Sequence, residues 1–171
     1  MAEPIGIQIR NLYKIFGNDA ASLIDKVRTG TTKTELNDKY GAVLGLNNIN
    51  MDMAAGRIQV IMGLSGSGKS TLIRHINRLI DPTAGEVLVG GEDVVKMSPE
   101  ALREFRRHKT AMVFQKFALL PNRTVLENTG YGLEVQGIPR EKRIEISMRW
   151  IERVGLKGFE KKYPNQLSGG M

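Results

Sequence analysis

Alternating apolar and polar residues predict strands at three places in the first half of the chain. Isoleucine recurs at every second position over residues 5–9, and the pattern continues toward Gly17. Residues 43–53 alternate in the same way, and residues 86–91 form a Val- and Leu-rich run between two turns. These runs predict a β region in this part of the chain.

Residues 18–40 break the strand pattern and predict an inserted helical hairpin. Leu23 and Val27 have the spacing of a short helix. Thr32 and Glu35 have the spacing of a capping box, which predicts a second helix that follows at once.

Helical patterns dominate the second half of the chain. Ser98 and Pro99 are typical of the N-cap and first position of a helix, which we expect to run to about Arg107. Further helices are predicted within 125–136 and over 139–155. The last of these places Ile144, Met148 and Ile151 on one face, and we expect Trp150 to pack in the core or against another helix.

Two short apolar runs, at residues 57–62 and 111–114, predict buried strands. The first ends at a glycine-rich loop and the second ends at Gln115. Leu72, Ile76 and Leu79 repeat at helical spacing after the loop, so the order is strand, loop, helix.

The glycine-rich loop has the GxxxxGKS/T pattern of a phosphate-binding loop. Its residues are Gly63, Leu64, Ser65, Gly66, Ser67, Gly68, Lys69, Ser70 and Thr71. The three glycines can take positive φ angles, so that backbone N–H groups converge on a phosphate. The alternative is a glycine-rich turn without a ligand.

The residues that follow these glycines suit a nucleoside triphosphate with its metal ion. Lys69 adds a positive charge, and the helix that begins near it supplies unpaired N–H groups. Ser70 can offer its hydroxyl to Mg²⁺. The position of the loop between a predicted strand and a predicted helix favours phosphate binding over the bare turn.

Composition narrows the class of protein. Lys and Arg total 25 against 18 Asp and Glu, which leaves a net charge of +7 and favours an anionic partner. Acidic residues interleave with the basic ones after Arg140, so we expect solvated helix faces and no nucleic-acid partner. No apolar run approaches the ~20 residues of a spanning helix. The chain has no cysteine, and its start does not have the pattern of a signal peptide.

Two further motifs follow the phosphate-binding loop in a diagnostic order. Gln115 ends an apolar run, and Leu167-Ser168-Gly169-Gly170 comes later. A lone glutamine after a strand is most often structural, and Ser-Gly-Gly is common in plain loops. The ordered set, however, resembles the ATP-binding-cassette (ABC) ATPase family, in which these motifs are the Q-loop glutamine and the LSGG signature.

The resemblance implies an α/β fold, the P-loop NTPase fold of ABC ATPases, with an antiparallel β subdomain and a helical subdomain. Residues 1–62 and 81–95 would be mainly β with the insertion at 18–40, residues 63–80 the loop and its helix, and residues 116–171 the helical subdomain up to the signature. Residues 1–171 would be the N-terminal part of one such domain, incomplete at its C-terminus.

In the family a Walker B aspartate and glutamate and a switch histidine follow the signature. These elements are not found here, so no catalytic residue is identified, and we expect the chain to bind ATP and Mg²⁺ without hydrolysing ATP alone. The two histidines are not candidates for the missing base: His75 is expected on a helix surface and His108 in a basic loop.

The resemblance also implies roles for the other motifs. Gln115 would sense the γ-phosphate and contribute with Ser70 to the Mg²⁺ site. Ser168, Gly169 and Gly170 would form an anion nest for the ATP held by a second copy of the subunit. Tyr40 is the favoured residue for stacking on adenine, with Phe16 as the alternative and a packing role for both as the third possibility.

Several strings are similar to the quaternary-amine importers, which take up glycine betaine, proline betaine or choline. They include residues 60–72, 77–85, 112–115 and 117–121, and the insertion also fits. The resemblance implies a permease partner contacted by residues 117–128, an indirect substrate-binding protein, and a peripheral position on the cytoplasmic face of the cell membrane. For residues 117–128 an ordinary loop is the alternative. An ABC ATPase for another cargo and a non-hydrolysing nucleotide-binding module are the alternative functions.

Overall fold

The structure is a computed structural model that describes residues 5–115 and 118–171. The chain divides into two compact units, Met1–Leu102 and Arg103–Met171. The first contains the sheet, the insertion and the phosphate-binding loop, and the second is helical.

An antiparallel sheet forms the centre of the first unit. Its strands are β1 (Ile7–Phe16), β2 (Val43–Met53), β3 (Ala84–Val89) and β4 (Glu92–Asp93), in the order β2-β1-β3-β4. Ile9 on β1 lies opposite Met51 on β2 and Val87 on β3. The three predicted strands are confirmed.

A backbone irregularity in the middle of β1 requires a glycine on β3. Asn11 has φ +46°, and the registers of β1 with both neighbours shift beside it. A Cβ at Gly85 would lie 2.3 Å from the carbonyl oxygen of Asn11, and Gly85 itself has φ +103°. A side chain at this position would therefore push β3 away from β1.

The insertion is the predicted helical hairpin. A 3₁₀ turn (Ala20–Leu23) leads into α1 (Ile24–Arg28), and α2 spans Lys33–Tyr40. The capping box is confirmed: the Glu35 N–H donates to Thr32 Oγ1 at 3.2 Å, and the Thr32 N–H donates to Glu35 Oε2 at 3.0 Å. The hydrogen bonds that the Glu35 carboxylate accepts from the Thr32 N–H and hydroxyl lower the pKa of Glu35.

The hairpin is anchored by apolar side chains on its inner face. Leu23, Val27 and Leu36 are buried in one cluster with Ile15 of β1 and Leu44 of β2. The insertion therefore covers the end of the strand pair that it interrupts in sequence.

Two further helices were predicted with nearly correct bounds. Helix α3 spans Lys69–Ile76 and ends before the predicted Leu79, because Arg78 takes φ +49°. Helix α4 spans Pro99–His108. Ser98 is its cap, since its Oγ accepts a hydrogen bond from the Ala101 N–H at 3.2 Å.

The second unit contains α5 (Val125–Thr129), α6 (Tyr131–Val135), α7 (Arg140–Arg153) and a 3₁₀ turn (Pro164–Gln166). Residues 125–136 thus form two helices that meet at Gly130. On α7, Ser147 and Ile151 are buried, whereas Ile144 and Met148 are each 37% exposed. Trp150 is 51% exposed, so its predicted place in the core is wrong, and its contact with another helix stays a prediction.

The strands predicted at residues 57–62 and 111–114 are also wrong. Neither run belongs to a strand, and Ile58 and Val113 are 94% and 97% exposed. A strand needs a hydrogen-bonded neighbour, and the only sheet in the described part of the chain is the one above. An apolar run is therefore not sufficient to predict a strand.

Within residues 5–115 and 118–171, no helix is long and apolar enough to cross a membrane.

We expect Leu36→Ala to lower the free energy of unfolding by about 2–5 kcal/mol, because the side chain is fully buried. Asp38→Ala on the same helix is the control, since Asp38 is exposed and should change the value by less than about 0.5 kcal/mol. Urea unfolding followed by circular dichroism gives both values. Equal effects of the two substitutions would show that the hairpin is not anchored through Leu36.

Candidate functional site

The phosphate-binding loop is built from glycine backbone and one lysine. Gly66 and Gly68 have φ +77° and +91°, as predicted, but Gly63 does not have a positive φ. Gly63 instead lies close to Ser67, where a Cβ would be 2.8 Å from the rotatable Ser67 Oγ. The absence of a side chain at Gly63 thus lets Ser67 lie close to it.

The loop lies directly on β2. A Cβ at Gly68 would be 2.7 Å from the carbonyl oxygen of Gly45 and 3.1 Å from Leu46 Cδ2. Only glycine allows this approach, which positions the start of α3 against the strand.

Lys69 holds the turn of the loop from inside. Its Nζ donates to the carbonyl oxygens of Gly63 and Leu64, each at 2.7 Å, and lies 3.5 Å from Ser67 Oγ. The positive charge is therefore placed at the centre of the loop.

The start of α3 fits an oxyanion. Gly68 is its N-cap and has no side chain to cap the helix, so first-turn N–H groups are left for a ligand. Ser70 is exposed at this end. In the described residues no three His, Cys, Asp or Glu side chains lie together as metal ligands. At this end of α3 the exposed Ser70 hydroxyl is an oxygen of the kind that Mg²⁺ prefers.

The two aromatic candidates for the adenine contact have similar exposure but different neighbours. Phe16 is 40% exposed and Tyr40 is 42% exposed. Lys14 Nζ lies 5.1 Å from the Phe16 ring centroid, and Lys26 Nζ lies 5.4 Å from that of Tyr40. A Cβ at Gly45 would be 2.6 Å from the Phe16 ring, so this ring rests on the strand position that also supports Gly68.

His75 is buried, which corrects its predicted place on a helix surface. Its side chain is 1% exposed, and Nδ1 lies 2.7 Å from the carbonyl oxygen of Thr71. A carbonyl can only accept, so Nδ1 carries a proton in this contact. Burial lowers the pKa of His75. The neutral ring of His75 thus contacts Thr71, the last residue of the loop motif, one helical turn earlier on α3.

In the second unit, Gln115 is exposed, and its predicted role stays a prediction. Of the predicted permease segment, Phe117 lies outside the described residues. His108 is in the last turn of α4, not in a loop, and its Nε2 lies 3.4 Å from Glu104.

Asn128 organises the part of that segment that the structure describes. Its Nδ2, with two N–H donors, lies 2.9–3.1 Å from the carbonyl oxygens of Leu120, Arg123 and Thr124, two of which share one donor. Its Oδ1 accepts from the Leu120 N–H at 2.8 Å. One side-chain amide therefore fixes the turn that precedes α5.

Arg123 projects from this turn into a charged contact. Its guanidinium donates to both carboxylate oxygens of Glu134, at 2.9 and 3.3 Å, and lies 5.0 Å from the Tyr131 ring centroid. The pair lowers the pKa of Glu134 and raises that of Arg123.

The signature residues form a turn at the end of the second unit. The Met171 N–H donates to the Ser168 carbonyl oxygen at 3.0 Å. Ser168, Gly169 and Gly170 are exposed, and neither glycine has a positive φ. Their contact with ATP held by a second subunit stays a prediction.

The sequence patterns missed the residues that position the site. Gly45 lies inside a run that reads as an ordinary strand, Asn128 lies inside a helix, and His75 is chemically suited to either surface or core. A partial signal exists for Asn128, because it follows Thr124 by one helical turn, where a side chain can return to the preceding loop.

The chain is similar to known proteins over most of its length. The family model described as ABC transporter matches residues 46–171. The glycine betaine transport ATP-binding protein OpuAA of Bacillus subtilis is 49% identical over 169 residues, 99% of this chain and 40% of the relative. The glycine betaine/proline betaine transport system ATP-binding protein ProV of Escherichia coli is 48% identical, over 98% of this chain and 42% of the relative. The chain thus spans about two fifths of these relatives.

The fold of the chain is similar to that of solved structures. A bacterial ABC transporter cassette, MJ0796, solved as a dimer, aligns with a TM-score of 0.75 and 30% identity, covering 96% of this chain and 64% of the cassette. A post-hydrolysis structure of the same cassette, bound to ADP and Pi, aligns with a TM-score of 0.74. The similarity supports the predicted α/β P-loop fold with its antiparallel sheet.

We expect stability to fall as the pH drops below about 6.5, the pKa of His75 in the unfolded chain. Between that pH and the lower pKa of the native state, the unfolded chain binds a proton at His75 and the native chain does not. His75→Gln should flatten this dependence between pH 7.5 and 5.5, measured as the free energy of unfolding in urea. His108→Gln, which changes the other histidine, should keep the slope, and equal slopes in all three chains would contradict the assignment.

Proposed function

Because the chain belongs to the ABC transporter family, we propose that it is the nucleotide-binding part of an ATP-binding subunit that powers quaternary-amine import, with glycine betaine or proline betaine as cargo. The observation that carries the proposal is the phosphate-binding loop built on Gly68 and Lys69. The names of the relatives support the cargo.

The loop would bind the phosphates of ATP. Backbone N–H groups at the start of α3 would meet phosphate oxygens, and Lys69 would add charge-assisted hydrogen bonds. Ser70, with Gln115, would contribute ligands to Mg²⁺, which neutralises phosphate charge when it is bound. We propose that this chain binds ATP in this way.

The adenine would stack on an aromatic ring beside the loop. The geometry favours Phe16 over Tyr40, because the Phe16 ring and Gly68 both lie against Gly45. This revises the preference for Tyr40 drawn from sequence spacing.

A second copy of the subunit would complete the nucleotide site. Ser168, Gly169 and Gly170 of one copy would contact the γ-phosphate bound by the other, and Gln115 would report whether that phosphate is present. The dimeric state of the solved cassette supports this arrangement.

Residues 117–128 would contact the permease at the cytoplasmic face of the cell membrane, with a substrate-binding protein acting on the far side. The turn fixed by Asn128 supports this role, because it presents Arg123 in a defined position.

The test of nucleotide binding is calorimetric titration with Mg²⁺ and either ATP or tripolyphosphate. Lys69→Ala should weaken both ligands about tenfold or more, since it removes a charge-assisted contact. Phe16→Ala should weaken ATP about fivefold or more and leave tripolyphosphate unchanged, because only ATP has a base to stack.

Tyr40→Ala and the exposed-site control Lys33→Ala should leave both affinities unchanged. If Tyr40→Ala alone weakens ATP, the adenine assignment to Phe16 is wrong. If Lys69→Ala has no effect on either ligand, the loop is not the nucleotide site.

The permease contact is tested by capture of the full-length subunit, carrying each substitution, on its purified permease. Arg123→Glu should reduce capture at least fivefold, because it reverses a charge on the contact surface. Arg149→Glu, an exposed arginine on α7 paired with Glu145, is the matched control. Unchanged capture with Arg123→Glu, in a subunit that still binds ATP, would remove the main support for this surface.

A further inference from the structure

A cavity of about 470 Å³ lies within the second unit. Its walls come from residues 122–124 and from α5, α6 and α7. This volume is within the range of about 300–1,000 Å³ that is typical of small-molecule sites. The nucleotide motifs of the chain do not line it.

The wall formed by α7 is a single stripe. Arg140, Arg143, Ile144 and Ser147 all line the cavity, and their spacing places them on one helix face. Ser147 follows Arg140 by seven positions, which corresponds to about 10 Å along the helix. The cavity therefore extends from the start of α7 to Ser147, two turns into the helix.

The inner end of the stripe carries an unsatisfied polar atom. Ser147 is 1% exposed, and its Oγ has no hydrogen-bond partner in the described residues. Gly130 faces it, since a Cβ there would lie 3.0 Å from this oxygen. Buried hydroxyl groups are normally hydrogen-bonded to protein, water or ligand, so an unpartnered one lining a cavity marks a position for a polar atom.

The charges around the cavity favour an anion. Three arginines and two glutamates line it. Glu127 accepts from the N–H and Oγ1 of Thr124, each at 2.8 Å. Glu134 is bonded to Arg123 and lies 3.8 Å from Arg143. Both carboxylates are thus committed to contacts within the protein.

Arg140 supplies the remaining positive charge. It is exposed, and within residues 5–115 and 118–171 it has no hydrogen bond and no ion pair within 4.0 Å, although its charge also acts on the Glu127 carboxylate. It is the first residue of α7, whose N-cap, Pro139, makes no side-chain cap. The unpaired N–H groups of the first turn add to the positive potential at this end of the cavity.

We propose that this cavity binds a small organic acid, with its carboxylate or phosphate group at Arg140 and a hydrogen-bonding group at Ser147. The site is separate from the proposed nucleotide site and does not depend on ATP. It would let a small acidic metabolite bind beside the segment of residues 117–128, since Asn122, Arg123 and Thr124 line the cavity as well.

The test is a nuclear magnetic resonance titration of the chain with succinate and, separately, with inorganic phosphate. Saturable shifts of backbone amides are expected with both probes, over residues 140–147 with succinate and at the Arg140 end of the helix with inorganic phosphate. The same shifts in the Lys69→Ala chain would separate this site from the phosphate-binding loop, whatever the outcome of the ATP experiment.

Variants define the two ends of the site. Arg140→Gln should raise the dissociation constant for succinate at least fivefold, and Ser147→Ala should raise it at least twofold. Arg149→Gln, on the same helix but outside the cavity, should leave it unchanged. A folded spectrum of each variant confirms that the chain is intact.

Three results would overturn the proposal: no saturable shifts, identical shifts with chloride at matched ionic strength, or equal weakening by Arg149→Gln and Arg140→Gln. If the probes fail to bind but Arg140→Gln reduces permease capture, the cavity instead belongs to the permease surface.

Discussion

The phosphate-binding loop depends on one close approach between two glycine backbones. Gly68 lies so near the carbonyl of Gly45 that a Cβ would come within 2.7 Å of the oxygen. Since α3 begins at the next residue, this contact determines where its first N–H groups lie relative to β2. Gly45 also supports the ring of Phe16. A single strand position therefore sets the places of both the loop and its nearest aromatic ring.

The rest of the first unit keeps that strand position in place. Leu44, next to Gly45, is buried in the cluster that Leu36 joins from the insertion. The bulge at Asn11 and the glycine opposite it keep β1 paired on both sides. The insertion thus has a structural consequence for the site although none of its described hydrogen bonds reaches the loop. Because the interior is closely packed, a displacement of β2 would also displace the loop.

Local signals predicted most of the elements and few of the long-range contacts. The capping box at Thr32, the cap at Ser98 and the loop-to-helix boundary at Lys69 each depend on residues within one turn, and all are found. The runs at 57–62 and 111–114 required a neighbouring strand, which local composition cannot supply. His75 was misplaced for a related reason. An imidazole is compatible with surface or core, and only the packing around α3 decides between them.

Lys69 shows how the loop can be both stable and ready for a phosphate. Its ammonium group has three donors, and two of them meet the carbonyls of Gly63 and Leu64. These bonds hold the turn in which Gly66 and Gly68 have positive φ. A phosphate oxygen near the same ammonium carries negative charge, so it attracts the ammonium more strongly than a neutral carbonyl oxygen does. Lys69 therefore stabilises the free loop, and under the proposed function the same ammonium group would bind the phosphate.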